Sequence, residues 1–257
     1  MHNFRKHAAF RANADVVEIN LDTINADINI LSSSEPNLYI EYSKNLRAKI
    51  TEADGIVSLK QGKSLFNSFR RSLLTVYVPE CNVPDINIVA DRTNLKIGGG
   101  IYKDANILGR EIRAVINSAA FENLKIKADA LDVSADGILV KNLSSALAAD
   151  GRVEIDKAFC KKAECRVKRG NIGLCNSACD FAVLNSEDGN IAACMLGCES
   201  EYTIDLDGAA VSGKDNLSTS GKSIRARAAR GSVVLDFTNP PRFNEAEELG
   251  YGEELRA

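Results

Sequence analysis

The sequence predicts an all-β protein, a single-stranded parallel β-solenoid (β-helix) with coils of about 19 residues. Glycines recur at this period, apolar and polar residues alternate after each glycine, and the repeat region shows no helical spacing. A strand and turn of this length cannot bury an apolar face alone. Successive coils are therefore expected to stack at about 4.8 Å.

The clearest repeat is a series of four glycines, each 19 residues after the last: Gly151, Gly170, Gly189 and Gly208. Asp precedes three of them, and Asp-Gly is a strong turn pair. Glycine at such positions allows a positive φ or a close approach of two backbones. We predict these glycines as the structural turns of successive coils.

Aliphatic residues follow the glycines at the same period. Val153, Ile172 and Ile191 each lie two residues after a glycine and are expected to form one ladder in the core. The pattern weakens toward the N-terminus, so the first rungs are predicted to be less regular, with insertions or antiparallel strands. The chain divides into an N-terminal extension (1–15), the solenoid domain (16–238) and an acidic C-terminal tail (239–257).

Cysteines also recur at the coil period. Cys is among the most buried residue types and packs as a small hydrophobe. The sequence therefore predicts a core cysteine ladder of Cys160, Cys179, Cys198, Cys175 and Cys194. Zinc binding by four thiolates and a stacked disulfide are the alternatives. The C-x₃-C spacing and the placement of both histidines at the N-terminus, His2 and His7, disfavour zinc, so neither a metal nor a cofactor is predicted.

Composition excludes several classes of function. The net charge of −3 and the pI near 5.6 argue against a dedicated nucleic-acid binder. The sequence has no apolar run of membrane-spanning length and no secretory signal, which predicts a cytoplasmic protein, with peripheral membrane association left open. The two N-terminal histidines make a Ser/His or Cys/His catalytic site an unfavoured hypothesis.

The segment 60–72 interrupts the β pattern and is the best candidate for binding a protein or a membrane surface. Its cations and aromatic residues could form a basic amphipathic helix on an anionic membrane. The favoured alternative is a cap that covers an exposed end of the solenoid. The candidate binding residues are Lys60, Lys63, Phe66, Phe69, Arg70 and Arg71.

Asp150, Asp188 and Asp207 raise the alternative of a carbohydrate-active β-helix enzyme, a lyase or a hydrolase. Such a site needs two carboxylates close together on one face of neighbouring rungs. Turn formation before glycine explains these aspartates without catalysis. No catalytic residue is therefore predicted.

The rung openings Gly170-Asn171-Ile172 and Gly189-Asn190-Ile191 resemble the "GDI" rungs of the DUF4097 family of adhesin-like bacterial proteins. The resemblance spans residues 16–237 and includes related "toastrack" envelope proteins. It implies a β-solenoid and a non-enzymatic binding or scaffold role associated with the bacterial cell envelope. An unidentified macromolecule is the expected partner, no small-molecule substrate is expected, and homo-oligomer formation stays open.

Overall fold

The computed structural model describes residues 7–12, 15–62 and 71–238, apart from the side chains of residues 7 and 144–149. These residues form one solenoid of β-strands, which confirms the predicted fold class. The strands, numbered β1 to β16 in chain order, are His7–Arg11, Glu18–Ile24, Ala26–Ser33, Tyr39–Ser43, Ala48–Ala53, Ile56–Gln61, Ser72–Pro79, Asp85–Asp91, Thr93–Gly98, Ile101–Asn117, Ala120–Asp136, Leu139–Asp156, Phe159–Asp188, Ile191–Leu196, Tyr202–Ser212 and Lys222–Thr238. Two 3-10 helices, η1 and η2, span Lys44–Leu46 and Glu199–Glu201.

The regular part of the stack runs from β10 to β14, where every strand pairs in parallel with the next. Most partners are 19 residues apart, as Ile107 and Ile126 are. One extra residue makes the offset 20 over the first part of the β12–β13 pairing. The register joins Val153, Ile172 and Ile191 into one buried ladder, which confirms that part of the prediction.

The N-terminal rungs depart from this regularity, also as predicted. β4 pairs antiparallel with β1 and β7, and β5 pairs antiparallel with β6. Asp54 and Gly55 both have positive φ in the turn that joins β5 to β6, which fits a tight hairpin. Leu46 of η1 is fully buried and helps to cover this end of the core.

β1 lies inside the segment predicted as an N-terminal extension, so residues 7–11 are part of the sheet. The other predicted domain boundaries stay predictions, and residues 239–257 lie outside the described part of the chain. Within the described ranges, no helix is long and apolar enough to cross a bilayer.

The C-terminal rungs are stacked out of chain order, because β16 lies between β14 and β15. A Cβ added at Gly231 would come within 1.9 Å of the Gly189 carbonyl oxygen, so Gly231 occupies the place beside Gly189. Gly208 lies one level further out, 3.2 Å from the Gly231 oxygen by the same measure. The prediction that Gly208 stacks on Gly189 is therefore wrong, because a period in the sequence does not fix the order of rungs.

The other glycines of the series are needed for close backbone approach within or beside strands. A Cβ at Gly170 would lie 1.6 Å from the Gly151 carbonyl oxygen, and one at Gly189 would lie 2.0 Å from that of Gly170. Gly170 also has a φ of +140°, which L side chains rarely adopt. This column of glycines lets adjacent coils meet at normal strand spacing.

Candidate functional site

Two rows of exposed cations lie on one flat side of the stack. Lys125 and Lys127 of β11 alternate with buried Leu124 and Ile126, so both lysines project outward. The second row belongs to β13, where the outward residues alternate with buried Ala163, Cys165 and Val167. We name the cationic face by its five members: Lys125, Lys127, Lys162, Arg166 and Lys168.

β12 lies between the two rows and adds no opposing charge. Its register places Ser144 between Lys125 and Glu164, and Ala146 between Lys127 and Arg166. The chain has no Asp or Glu from residue 137 to residue 149. Two rows of cations thus flank an uncharged stretch of β12, residues 142–149, with about 10 Å between the rows from the usual strand spacing.

A single carboxylate, Glu164, lies within the two rows. Its two oxygens form ion pairs with Lys162, at 3.3 Å, and with Arg166. The side chains of Lys125, Lys127 and Lys168 form no ion pair or hydrogen bond within the described part of the chain. The face therefore carries a local excess of positive charge on a protein whose net charge is −3.

Exposed apolar side chains lie at two edges of the cationic face. Leu108 of β10 is the strand neighbour of Lys127 and is 39% exposed. Phe181, one coil after Lys162, is 40% exposed. The two coils of β13 are in contact there, because the Ala178 amide donates to the Ala158 carbonyl. Cations and apolar groups thus share one surface.

A second charged feature, the charged corner, lies where the coils bend beside the cationic face. Opposite charges face each other at most steps between successive coils, except where Asp129 is followed by Asp150. Arg110 is hydrogen-bonded to Asp91, Arg169 to both oxygens of Asp150, and Arg230 pairs with Asp188 at 3.3 Å. Its members are Asp91, Arg110, Asp129, Asp150, Arg169, Asp188 and Arg230.

The charged corner contains two of the three aspartates considered for catalysis. The hydrogen bonds from Arg169 hold the pKa of Asp150 below its usual range, and Asp150 in turn raises the pKa of Arg169. Asp188 pairs with Arg230, while Asp207 lies on β15 opposite Arg227. The corner therefore neutralises carboxylates in separate ion pairs.

The predicted cysteine ladder divides into three environments. The thiols of Cys160 and Cys179 are in contact on adjacent coils, where Cys179 is buried and Cys160 partly buried. The thiol contact and burial raise the pKa of Cys160. Cys175 and Cys194 lie half-buried on the outer surface, and Cys198 is exposed at the start of η2.

A core position is therefore wrong for Cys198, Cys175 and Cys194. Cys175 and Cys194 follow the buried residues Leu174 and Ala193, so strand alternation turns them outward. Cys198 precedes a helical turn that leaves the coil pattern. Within the described ranges, no three Cys, His, Asp or Glu side chains come together as a metal site.

The basic segment 60–72 is described only at its ends. Lys60 is exposed and pairs with Asp22 at 3.6 Å, and Arg71 pairs with Asp27 at 2.7 Å. Asn45 of the strand-connecting turn also donates to the Arg71 carbonyl. Lys63, Phe66, Phe69 and Arg70 lie outside the described residues, so the binding and capping roles of this segment stay predictions.

Sequence reasoning missed the cationic face because it weighed the net charge of the whole chain. A local signal exists: Lys-Ile-Lys at 125–127, the alternating cations of 162–168, and the acid-free stretch between them. These residues are about 40 positions apart in sequence, and only the parallel register brings them onto one surface.

Comparison with known proteins gives a family and a set of similar folds. A family model described as Toastrack DUF4097 matches residues 16–249. No curated protein matches the sequence.

A "putative adhesin" from Bacteroides fragilis is 16% identical, with 91% of this chain and 98% of that chain covered and a TM-score of 0.42. A "putative lipid binding protein" from Parabacteroides distasonis is 15% identical, with 90% and 96% covered and a TM-score of 0.41. At these TM-scores the likenesses assign no activity or ligand to this chain.

Proposed function

The chain belongs to the Toastrack DUF4097 family, and from that premise we propose that it is a non-enzymatic binding protein whose cationic face contacts another macromolecule. The observation that carries the proposal is the group of exposed lysines, Lys125, Lys127 and Lys168, which have no partner within the described residues. Pairing across parallel strands also holds the rows in a fixed geometry.

Stability alone does not explain this arrangement. The charged corner shows that this chain pairs charges between coils, as Arg169 and Asp150 do, 19 residues apart. Lys125, Lys127 and Lys168 have no such partner within the described residues, and a bound anionic partner would supply one.

The state of the aspartates supports a binding role over the carbohydrate-active alternative. A glycosidase needs one carboxyl group whose pKa is raised, so that it can act as a general acid. Asp150 has its pKa shifted in the opposite direction by Arg169. Its carboxylate oxygens are both occupied by that arginine.

The cell-envelope association implied by the family resemblance is part of the proposal. The segment 60–72 is retained as a predicted second contact, although Lys60 and Arg71 already pair with aspartates. The cationic face is the stronger candidate because three of its cations have no partner within the described residues.

The test has one arm for binding and one for turnover. Immobilised proteins, lipids and acidic glycans are probed with the wild-type chain, with Lys125→Glu/Lys127→Glu, and with Lys96→Glu/Lys103→Glu. Lys96 is exposed on another side of the stack and Lys103 is exposed at a bend of β10, outside the two rows, so the control makes the same change in net charge. We expect binding by the wild type and the control, and loss in the first variant.

The turnover arm measures the release of reducing ends or unsaturated products from the same glycans. We expect none. Turnover that Asp150→Asn abolishes would overturn the proposal, as would binding that is equally strong in both double variants.

A further inference from the structure

We propose that the partner of the cationic face is an anionic lipid bilayer, onto which the protein docks with Leu108 and Phe181 at the edge of the contact. This inference rests on the proposed function and names its partner. It is carried by the flatness of the face, by the two-dimensional arrangement of its cations, and by the apolar groups beside them.

The arrangement of the cations favours a surface over a linear polymer. Lys125 and Lys127 are about 7 Å apart along β11, and the β13 row lies about 10 Å away across β12. A linear polyanion that lies along the surface contacts only one such row. A bilayer presents anionic headgroups in two dimensions, so that all five cations can be engaged together.

The charge around the face also orients the molecule. On the same side of the stack, the strands before β11 carry acidic outward residues, among them Glu18, Asp85 and Asp104. Repulsion between these residues and anionic lipid would tilt the N-terminal rungs away from the membrane. Attraction is therefore confined to the region from β11 to β13, within about one Debye length of the surface.

The exposed apolar residues extend the contact beyond electrostatics. Phe181 and Leu108 are each about two-fifths exposed and are adjacent to cations of the face. Interfacial proteins combine cations, which bind lipid headgroups, with neighbouring apolar side chains, which enter the membrane interface. Neither side chain is needed to fill the core, because buried Ala182 follows Phe181 and buried Ile107 precedes Leu108.

The experiment is flotation of the full chain with vesicles of phosphatidylcholine alone or of phosphatidylcholine mixed with phosphatidylserine. We expect binding only to the mixed vesicles, and its loss in 1 M salt, where the Debye length falls to about 3 Å. Each lysine near an anionic surface contributes about a fivefold gain in partitioning. Lys125→Glu/Lys127→Glu should therefore lower it at least about 30-fold. Lys96→Glu/Lys103→Glu is the control and should stay within about twofold of the wild type. A circular-dichroism melt checks that both variants are folded.

The absence of Trp from the chain gives a second readout. Phe181→Trp places a single fluorophore at the edge of the face, and Ile101→Trp places one at an exposed site, 56% accessible, elsewhere on the stack. On bilayers that contain brominated lipid, we expect quenching of the first and not of the second. Equal quenching of the two overturns the docking orientation.

Two results overturn the lipid partner itself. One is equal binding to neutral and anionic vesicles, and the other is undiminished binding by Lys125→Glu/Lys127→Glu. Binding of soluble polyphosphate distinguishes failure of the lipid inference from failure of the proposed function. If it binds through Lys125 and Lys127 while vesicles do not bind, the lipid inference fails and the proposed function stands.

Discussion

The charged corner and the cationic face adjoin each other on the same strands, yet they differ in whether their charged side chains have partners of opposite charge. Arg169 belongs to the corner, where it binds Asp150 and lies near Asp188. Lys168, the preceding residue, belongs to the face and has no partner within the described residues. Both side chains are exposed. The same backbone ladder thus supports a column of mostly paired charges and a face on which three of five cations have no partner within the described residues.

This difference shows that the fold allows charges to be paired between coils, while the sequence decides whether they are. In a parallel stack, a residue and the residue one coil later are neighbours, so an ion pair needs only one Asp or Glu at the right spacing. The chain places such a partner repeatedly along the corner. On the cationic face it places Ser144 and Ala146 between the rows instead. The unpaired charges are therefore a property of this sequence and not of solenoids in general.

The largest predicted effect is that of Gly170→Ala, because both regions depend on the register that the glycine column maintains. The added Cβ would lie 1.6 Å from the Gly151 carbonyl oxygen, at a φ of +140°. We expect the free energy of unfolding in urea to fall by at least about 3 kcal/mol. Gly173→Ala is the matched control, since its Cβ would have no neighbour closer than 3.8 Å. Similar losses in the two variants would contradict the role assigned to the glycine column.

The glycine period is also the clearest case in which sequence predicted structure. The 19-residue spacing of Gly151, Gly170 and Gly189 reports a local contact between consecutive coils, and that contact exists. Gly208 has the same spacing but is separated from Gly189 by β16. The order of the final rungs depends on which strand completes the core best. Only tertiary packing decides that, so the period could not predict it.

The next effect compares Arg169→Glu with Lys168→Glu, which make the same change at adjacent residues. The first would stack three acidic side chains along the corner, at residues 150, 169 and 188. We expect it to lower the Tm by about 2–4 °C at low ionic strength. The second removes a repulsion on the cationic face and should leave the Tm unchanged or slightly higher. Thermal melts at 20 mM and 500 mM salt provide the check, because screening should shrink the difference. Equal Tm shifts would remove the distinction between corner and face.

The candidate site was harder to predict from sequence than the fold, and the cysteines show why. The spacing of Cys160 and Cys179 correctly places them on adjacent coils, but Cys198 has the same spacing and lies exposed at η2. Spacing alone does not reveal where a coil is interrupted. The cationic face depends on a similar fact, the pairing of β11 and β13 with β12 between them. Net charge conceals such a patch because acidic residues elsewhere cancel it.

The smallest predicted effect is a dependence on pH that only the charged corner should show. Arg169 holds the pKa of Asp150 below its usual value in the folded protein. This pair therefore stabilises the fold above the pKa of the unfolded chain, about 3.9 for Asp, and the contribution is lost as the pH falls through the lower, folded value. We expect the Tm difference between the wild type and Asp150→Asn to be positive and constant from pH 7 to about pH 5, and to shrink below it. Lys127→Ala should give a difference that stays flat through this range, since it removes no carboxylate and no partner of one. A Tm difference for Asp150→Asn that persists unchanged at the lowest pH would show that Asp150 stabilises the corner through packing and not through its charge.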